Sequence, residues 1–243
     1  MVLLQLLNLM APCYFLCLLA VTFSLQLFFF LPGMCEGRSL PLSGLLHTFF
    51  FVFFLVNVLG NYFLVIWHSP ASSGISVEAE MLEKPFCRIC NRMMWEQEHH
   101  CFFTGTCIGR SNLRSFVLFC LHASCSCFHA VVAGVGYIAH NFSLSFANPL
   151  TFLRLLPLSV TRFFSGSLLS SEMLAVLMLY LWLGVGLACG AFCCHQLLLI
   201  SRRPVCHQSP SRDSSPINWM DNMTSIFGKR WLMAILFPSA KQK

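Results

Sequence analysis

The sequence is poor in charged residues. Asp, Glu, Lys and Arg make up 10% of its 243 residues, whereas soluble domains contain about 25%. Hydrophobic residues account for 57% of the chain. Because a water-soluble surface needs many more charged groups, this composition excludes an ordinary soluble domain and predicts a protein that crosses a membrane several times.

Basic residues are missing from the first nine positions, and acidic residues are scarce in the apolar runs. Residues 1–9 contain neither Lys nor Arg, so they lack the charged n-region of a cleaved signal peptide. The long apolar runs contain a single acidic residue, Glu172, near the start of the last run. Ion and proton pathways commonly use acidic side chains inside the membrane, so a transporter or channel is the least favoured function.

Four apolar runs are long enough to cross a bilayer, for which about 20 residues suffice. They comprise residues 11–31, 45–67, 113–139 and 171–200. The predicted fold is therefore an all-α membrane protein with four transmembrane helices. Its predicted segments are 1–67 with helices 1 and 2, 68–112 as a small polar cysteine-rich domain, 113–200 with helices 3 and 4, and 201–243 as a tail with an amphipathic part.

Two local features within these segments carry predictions of their own. Residues 140–170 are predicted to form a loop, in which Asn141 begins an Asn-Phe-Ser glycosylation sequon if the loop is lumenal. Asn57 and Asn61 lie four residues apart in the second run, so they share one helix face. Their amides favour hydrogen bonds between helices.

Positive charge is distributed unevenly between the two sides of the membrane. With four spans, residues 1–10, 68–112 and 201–243 lie on one side and hold 11 of the 15 Lys and Arg residues, and Arg114, at the start of the third run, adjoins the same side. The three on the other side are Arg38, Arg154 and Arg162. The positive-inside rule therefore places both termini and segment 68–112 in the cytosol. Because the cytosol is reducing, cysteines there indicate metal binding or catalysis rather than disulfides.

The richest chemistry lies between residues 87 and 116. Cys87 and Cys90 form a C-x-x-C knuckle, a turn that directs two thiolates at one point and suits tetrahedral zinc. Further candidate ligands follow at His99, His100, Cys101 and Cys107. A tetrahedral site needs only four ligands, so the segment offers more donors than one zinc ion can use.

That surplus indicates catalysis beside the metal site. A cysteine that is not a ligand can act as a nucleophile when a neighbouring histidine serves as its base. Glu98 precedes the His-His-Cys run and could orient such a base, as the acid of a triad does. Ligand sets that use His99 or Cys101 stay possible from the residues alone.

The spacing of this segment resembles a known enzyme family. The residues Glu98-His99-His100-Cys101, then Cys107-Ile108-Gly109-x-x-Asn112-x-x-x-Phe116, are similar to the core of the DHHC-type protein S-palmitoyltransferases. In that family the pattern is Asp-His-His-Cys, five residues, then Cys-Val-Gly-x-x-Asn-x-x-x-Phe. In the tail, Asn222 with Phe227-Gly228 also resembles the C-terminal motif of the family.

The resemblance implies a role for each group of residues. Cys101 would be the nucleophile that takes a long-chain acyl group from palmitoyl-CoA, with His99 as its base and Glu98 orienting that base. One structural zinc would be held by Cys87, Cys90, His100 and Cys107. Arg110 and Arg114, the nearest basic residues in sequence, would meet the phosphates of coenzyme A.

The resemblance also implies partners and a location. The acyl group would pass to cytosolic cysteines of membrane or membrane-associated proteins, and the lipid bilayer would surround the helices. No nucleic-acid partner is expected. Membranes of the endoplasmic reticulum or Golgi apparatus are the expected site.

Several departures from the family pattern support an alternative. Only residues 91–97 separate the knuckle from Glu98, so the cysteine-rich domain is shorter than in the family. Glu98 replaces Asp, Phe102-Phe103 replaces Pro-Trp, and Ser201-Arg202-Arg203-Pro204 stands where the family has Thr-Thr-x-Glu. The alternative is a membrane scaffold that keeps the zinc-stabilised segment with little or no transferase activity.

Overall fold

The computed structural model describes residues 2–35, 42–69, 86–93, 97–202, 219–229 and 231–238. In this part of the chain the helices are α1 (Val2–Leu25), a π-helical turn (Gln26–Phe30), α2 (Leu31–Cys35), α3 (Leu42–Trp67), α4 (Leu113–Phe142), α5 (Pro149–Phe164), α6 (Ser170–Arg202), α7 (Trp219–Phe227) and α8 (Trp231–Leu236). The strands are β1 (Phe86–Cys87), β2 (Arg92–Met93), β3 (Gln97–Cys101) and β4 (Thr106–Gly109). Arg203 and Pro204, noted above, lie outside the described residues.

Four helical stretches are long and apolar enough to cross a membrane, which confirms the predicted four-span fold. They are Leu3–Gly33, Leu42–Trp67, Leu113–Phe142 and Ser170–Arg202. The cysteine-rich segment lies between the second and the third of these stretches. The first begins well before residue 11, because the preceding residues are almost all apolar and α1 contains Pro12 within its length.

The middle of the predicted loop 140–170 is helical, so that prediction is wrong there. Helix α5 starts at Pro149, the position in a helix where a missing backbone N–H costs least. The Asn148 side chain caps it by accepting a hydrogen bond from the Leu150 N–H at 2.9 Å. Asn141 of the sequon is exposed in the last turn of α4, and its glycosylation stays a prediction.

A side chain from α6 holds α5 in place. The Tyr180 hydroxyl accepts a hydrogen bond from the Leu156 N–H at 3.2 Å and donates one to the Phe152 carbonyl. It therefore bridges two backbone groups that would bond to each other directly in a regular helix. Pro157, within α5, removes one more backbone donor, so the helix depends on this contact more than an uninterrupted helix would.

One compact unit comprises Cys17–Leu55 and Ala123–Cys189. Its apolar centre is formed by Leu25, Phe30, Ala130, Ala133, Ala175, Met178 and Trp182. The indole N–H of Trp182 donates to the Thr22 hydroxyl at 2.9 Å, and the Ser124 hydroxyl donates to the Gly186 carbonyl at 2.8 Å. These bonds join helices within the apolar interior, where water offers no alternative partner.

The other unit comprises Met1–Leu16, Val56–His122 and Gly190–Lys243. It contains the four strands, which form two antiparallel hairpins, β1 with β2 and β3 with β4. It also contains α7 and α8, which follow α6 in the chain. All residues of the candidate site described below belong to this unit.

Within the second of these units, α8 packs against α3. The Asn57 amide donates to the Leu236 carbonyl at 3.3 Å, which confirms a role between helices for Asn57. The Asn61 amide instead donates to the Asn57 carbonyl on its own helix at 2.9 Å. A Cβ added to Gly60 would lie 2.5 Å from Cγ of Pro238, so the end of the tail approaches α3 too closely for any larger residue.

Candidate metal centre and reactive cysteine

The first hairpin brings two thiols to one place. Cys87 pairs with Arg92 in register, and the turn between them contains Cys90. The Cys90 N–H donates to the Cys87 sulfur at 3.5 Å. Asn91 has a φ of 53°, a left-handed conformation that Asn tolerates better than most residues, and this residue reverses the chain after the second thiol.

The second hairpin places its histidine and cysteine side chains on two faces. In β3 and β4, His99 pairs with Ile108, His100 with Cys107, and Cys101 with Thr106. Side chains alternate along a strand and directly paired residues share a face. His100 and Cys107 therefore lie on one face of the hairpin. His99 and Cys101 lie on the opposite face.

The structure brings Cys87, Cys90, His100 and Cys107 together, with their four donor atoms within 4.8 Å of one another. The His100 Nδ1 atom lies 3.6, 3.4 and 3.5 Å from the sulfurs of Cys87, Cys90 and Cys107. The sulfurs of Cys90 and Cys107 are 3.6 Å apart.

These distances fit a tetrahedral zinc site. With bonds of about 2.3 Å to sulfur and about 2.05 Å to nitrogen, a tetrahedron separates sulfur from nitrogen by about 3.6 Å and two sulfurs by about 3.8 Å. The observed separations of 3.4 to 3.6 Å match these values. Three cysteines and one histidine are also a donor set typical of structural zinc.

Burial changes the pKa values of His100 and Cys107 in this cluster. Burial, followed by the charge of neighbouring His99, lowers the pKa of His100, which favours the neutral imidazole that metals bind. Burial and hydrogen bonds to Cys87 and Cys90 raise the pKa of the Cys107 thiol far above its ordinary value. A divalent cation removes this penalty, because it stabilises the thiolate form of its ligands.

Asn8, a residue that the sequence analysis did not single out, completes this cluster. Its Oδ1 atom lies 2.8 Å from His100 Nε2, the ring nitrogen that faces away from the sulfurs. Asn8 belongs to α1 and is separated from His100 by 92 positions. An isolated Asn in an apolar helix was the only available signal, and that signal does not name its partner.

Cys101 stands at the end of β3 and is half-buried. The chain turns directly after it, with the Gly105 N–H donating to the Phe102 carbonyl at 3.2 Å. The Tyr62 hydroxyl from α3 donates to the Phe103 carbonyl at 3.2 Å. These bonds hold the turn beside Cys101 against α3.

The surroundings of the other predicted catalytic residues are different. The His99 ring lies edge-on to Phe116, with ring centroids 5.4 Å apart. The pairing register shifts between Gln97 and His99, so Glu98 is the extra residue of a β-bulge, a feature often found beside active sites. The structure describes the backbone of Glu98 but not its side chain, so its orienting role stays a prediction.

Asn112 joins β4 to α3 and is fully buried. Its Oδ1 accepts a hydrogen bond from the Gly109 N–H at 2.9 Å. Its Nδ2 donates to the carbonyls of Val65 and Cys107, both at 3.0 Å. Through the Cys107 carbonyl, Asn112 fixes the strand that supplies one of the clustered thiols.

We expect Asn112→Ala to destabilise the protein by roughly 2–4 kcal/mol, because three hydrogen bonds to buried backbone groups are lost. Thermal unfolding in detergent would measure the change. Ser111→Ala is the matched control, since its exposed hydroxyl makes one hydrogen bond, to the His68 carbonyl. Equal stability of the two variants would contradict the bridging role of Asn112.

The two arginines predicted to bind coenzyme A and the motif of the C-terminal tail lie in different elements. Arg110 is exposed in the turn after β4, and Arg114 is half-buried in the first turn of α4. In α7, the buried Asn222 amide donates to the Ser201 carbonyl of α6 at 3.3 Å. Phe227 is buried at the end of α7, and Gly228 follows with a φ of 82°, the left-handed conformation common after a helix.

Comparison with known proteins places these features in a family. Residues 79–208 match the sequence model of the DHHC palmitoyltransferase family. The chain is 50% identical to palmitoyltransferase ZDHHC22 of Homo sapiens, over 98% of this chain and 95% of the relative. It is 37% identical to palmitoyltransferase ZDHHC22 of Danio rerio, over 97% of this chain and 92% of the relative. It is 24% identical to the probable palmitoyltransferase ZDHHC24 of Homo sapiens, over 82% of this chain and 75% of the relative.

Proposed function

The chain belongs to the DHHC palmitoyltransferase family, and on that premise we propose that Cys101 is the residue that carries the acyl group. The observation behind this choice is the register of β3 and β4. It directs His100 toward the other three donors of the cluster and leaves Cys101 on the opposite face with His99. The thiol is therefore available for chemistry while the cluster holds a metal ion.

Cys87, Cys90, His100 and Cys107 hold one structural zinc ion in this proposal. The donor separations of 3.4 to 3.6 Å support it. When bound, the zinc fixes the geometry of two short hairpins that are too small to build a core of their own. It takes no part in the acyl transfer.

The reaction proceeds by two exchanges at Cys101. His99, oriented by Glu98, takes the thiol proton, and the Cys101 sulfur attacks the carbonyl carbon of palmitoyl-CoA. The bond between that carbon and the coenzyme A sulfur breaks. Coenzyme A takes the proton from His99 and leaves as a thiol. The thiol of a target cysteine then gives its proton to His99, and its sulfur attacks the same carbonyl carbon. The bond between that carbon and the Cys101 sulfur breaks, and Cys101 takes the proton from His99. Each exchange replaces one thioester by another, so the protein contributes positioning and activation.

The proposed substrates match two parts of the protein, the apolar helices and the cytosolic segment that carries Cys101. Each methylene of an acyl chain gains about 0.8 kcal/mol on burial, which favours a tail held among the apolar helices. Exposed Arg110, with Arg114 close by in sequence, binds the phosphates of coenzyme A. The acceptors are cytosolic cysteines of membrane or membrane-associated proteins. Both termini are cytosolic, and the protein resides in the endoplasmic reticulum or Golgi membrane.

An acylation assay tests the proposal against the scaffold alternative. Purified protein with one bound zinc is incubated with an alkyne analogue of palmitoyl-CoA, and label released by hydroxylamine reports a thioester. We expect a labelled acyl-enzyme that passes its label to a cysteine-containing peptide. Folded, zinc-loaded protein that stays unlabelled would favour the scaffold. Glu98→Asp then discriminates further, since a weakened enzyme gains turnover with the shorter carboxylate and a scaffold does not.

A further inference from the structure

The amino-terminal part of α1 is an unusual place for a polar contact. Its other residues near Asn8 are exposed and mostly apolar, including Leu6, Leu7, Leu9 and Met10. An amide in an apolar helix is stabilised by a polar partner from another element. Asn8 finds that partner in His100, and the family match at residues 79–208 does not include this helix.

The contact between Asn8 and His100 fixes the state of the imidazole ring. An amide oxygen can only accept a hydrogen bond. The 2.8 Å separation of Asn8 Oδ1 from His100 Nε2 therefore places the ring proton on Nε2. The other nitrogen, Nδ1, then presents its lone pair to the three cysteine sulfurs at 3.4 to 3.6 Å. This is the tautomer and the ring orientation that a metal ligand requires.

A second contact joins the same part of α1 to the turn after Cys101. A Cβ added to Gly105 would lie 3.5 Å from the Asn8 carbonyl oxygen and 3.5 Å from Cγ of Pro12. Pro12 has no N–H, so it cannot donate the usual helical hydrogen bond to that carbonyl. Gly105, with a φ of 64°, lies in the turn between β3 and β4. That turn faces the point of α1 at which the hydrogen bond is missing. The helix thus contacts the hairpin on both sides of Cys101.

We infer that Asn8 is a positioning residue of the metal centre, which makes the first helix part of the zinc site. This inference rests on the proposed zinc site and extends it by one residue outside the cysteine-rich segment. Asn8 keeps the His100 ring oriented with Nδ1 toward the metal ion. Through His100, it also sets the position of the neighbouring Cys101.

The experiment compares zinc release from full-length variants in lipid nanodiscs. Asn8→Leu removes the acceptor and keeps the number and branching of the side-chain heavy atoms. Asn8→Asp keeps an oxygen acceptor, and a carboxylate is a common partner of a metal-bound histidine. Gln5→Leu is the matched control, because it makes the same replacement of an amide by an apolar group at an exposed position of α1. A chromophoric chelator reports the rate at which each protein loses zinc.

We expect Asn8→Leu to bind zinc about tenfold to 100-fold more weakly than wild type, the usual effect of removing such a partner, and to release it correspondingly faster. Asn8→Asp and Gln5→Leu should release zinc at the wild-type rate. The visible spectrum of the cobalt-substituted protein should shift in Asn8→Leu and return in Asn8→Asp, which a loss of helix packing alone would not produce. If Asn8→Leu does not fold, Asn8→Ala takes its place, because Ala removes the acceptor without adding bulk near His100.

Two failures can be told apart. Zinc release from Asn8→Leu at the wild-type rate, with an unchanged cobalt spectrum, overturns the role of Asn8 and leaves the zinc site intact. A wild-type protein that folds without zinc overturns the proposed metal site itself. Loss of zinc from Asn8→Asp as fast as from Asn8→Leu would also contradict the inference, since the acceptor would then be irrelevant.

Discussion

Cys101→Ser is expected to abolish the acyl-enzyme and to lower palmitoyl transfer by roughly 10³-fold or more, as removal of a nucleophile does in other covalent enzymes. A serine hydroxyl takes nearly the same place as the thiol, but at neutral pH it does not form the anion that attacks a thioester. Labelling with the alkyne analogue, before and after hydroxylamine, measures the loss.

The same variant should keep its zinc. Cys101 lies on the face of β3 opposite His100, so its replacement leaves all four clustered donor atoms in place. Metal analysis should therefore give the same zinc content as wild type, at an unchanged unfolding temperature. Cys17→Ser is the control for labelling, because Cys17 is an exposed cysteine of α1 outside the hairpins. Hydroxylamine-sensitive label persisting in Cys101→Ser would assign the acyl group to another cysteine.

Cys107→Ser is expected to remove the zinc and to disorder the segment that contains β1 to β4. Cys107 is fully buried in the cluster, 3.6 Å from Cys90 and 3.5 Å from His100. Structural zinc contributes about 10–16 kcal/mol to the folding of isolated zinc-finger peptides. The hydrogen bonds that join the two hairpins to the helices contribute much less, about 1 kcal/mol each, so losing one ligand should be decisive.

Zinc content by mass spectrometry and hydrogen exchange of residues 86–109 would measure this effect. We expect the zinc content to fall to near zero, backbone protection in β3 and β4 to vanish, and acyl labelling to be lost as a consequence. Cys125→Ser is a suitable control, since Cys125 is a half-buried cysteine of α4 outside the cluster. Full zinc occupancy with normal protection in Cys107→Ser would refute the four-ligand site.

The two variants together separate chemistry from structure. Cys101→Ser should lose only the acyl-enzyme, whereas Cys107→Ser should lose the metal, the local fold and the acyl-enzyme. The residues differ by six positions in sequence, and the strand register assigns them to opposite faces of one hairpin. If both variants behaved alike, the assignment of catalysis to one face of the hairpin and of metal binding to the other would be wrong.

Much of the fold could be predicted from the sequence because membrane insertion depends on local composition. Each span is a continuous run of apolar residues, and its hydropathy can be summed without knowledge of its neighbours. The four short strands were not predicted. The other exception was α5. Its apolar residues surround Pro157, and one of its backbone bonds is replaced by the hydroxyl of Tyr180, which lies 24 positions beyond Leu156 in the chain.

The candidate site also combines features that the sequence predicts with features that depend on the tertiary structure. The sequence by itself determined the four spans, the C-x-x-C knuckle and the Glu98 to Phe116 signature, because these are matters of composition and short spacing. Six donors were available, and spacing alone did not distinguish His99 from His100. Only the pairing of β3 with β4 decided that His100 joins the cluster and that His99 stays with Cys101. Only the tertiary structure brought Asn8 to His100, because a contact across 92 positions depends on how separate helices and hairpins pack.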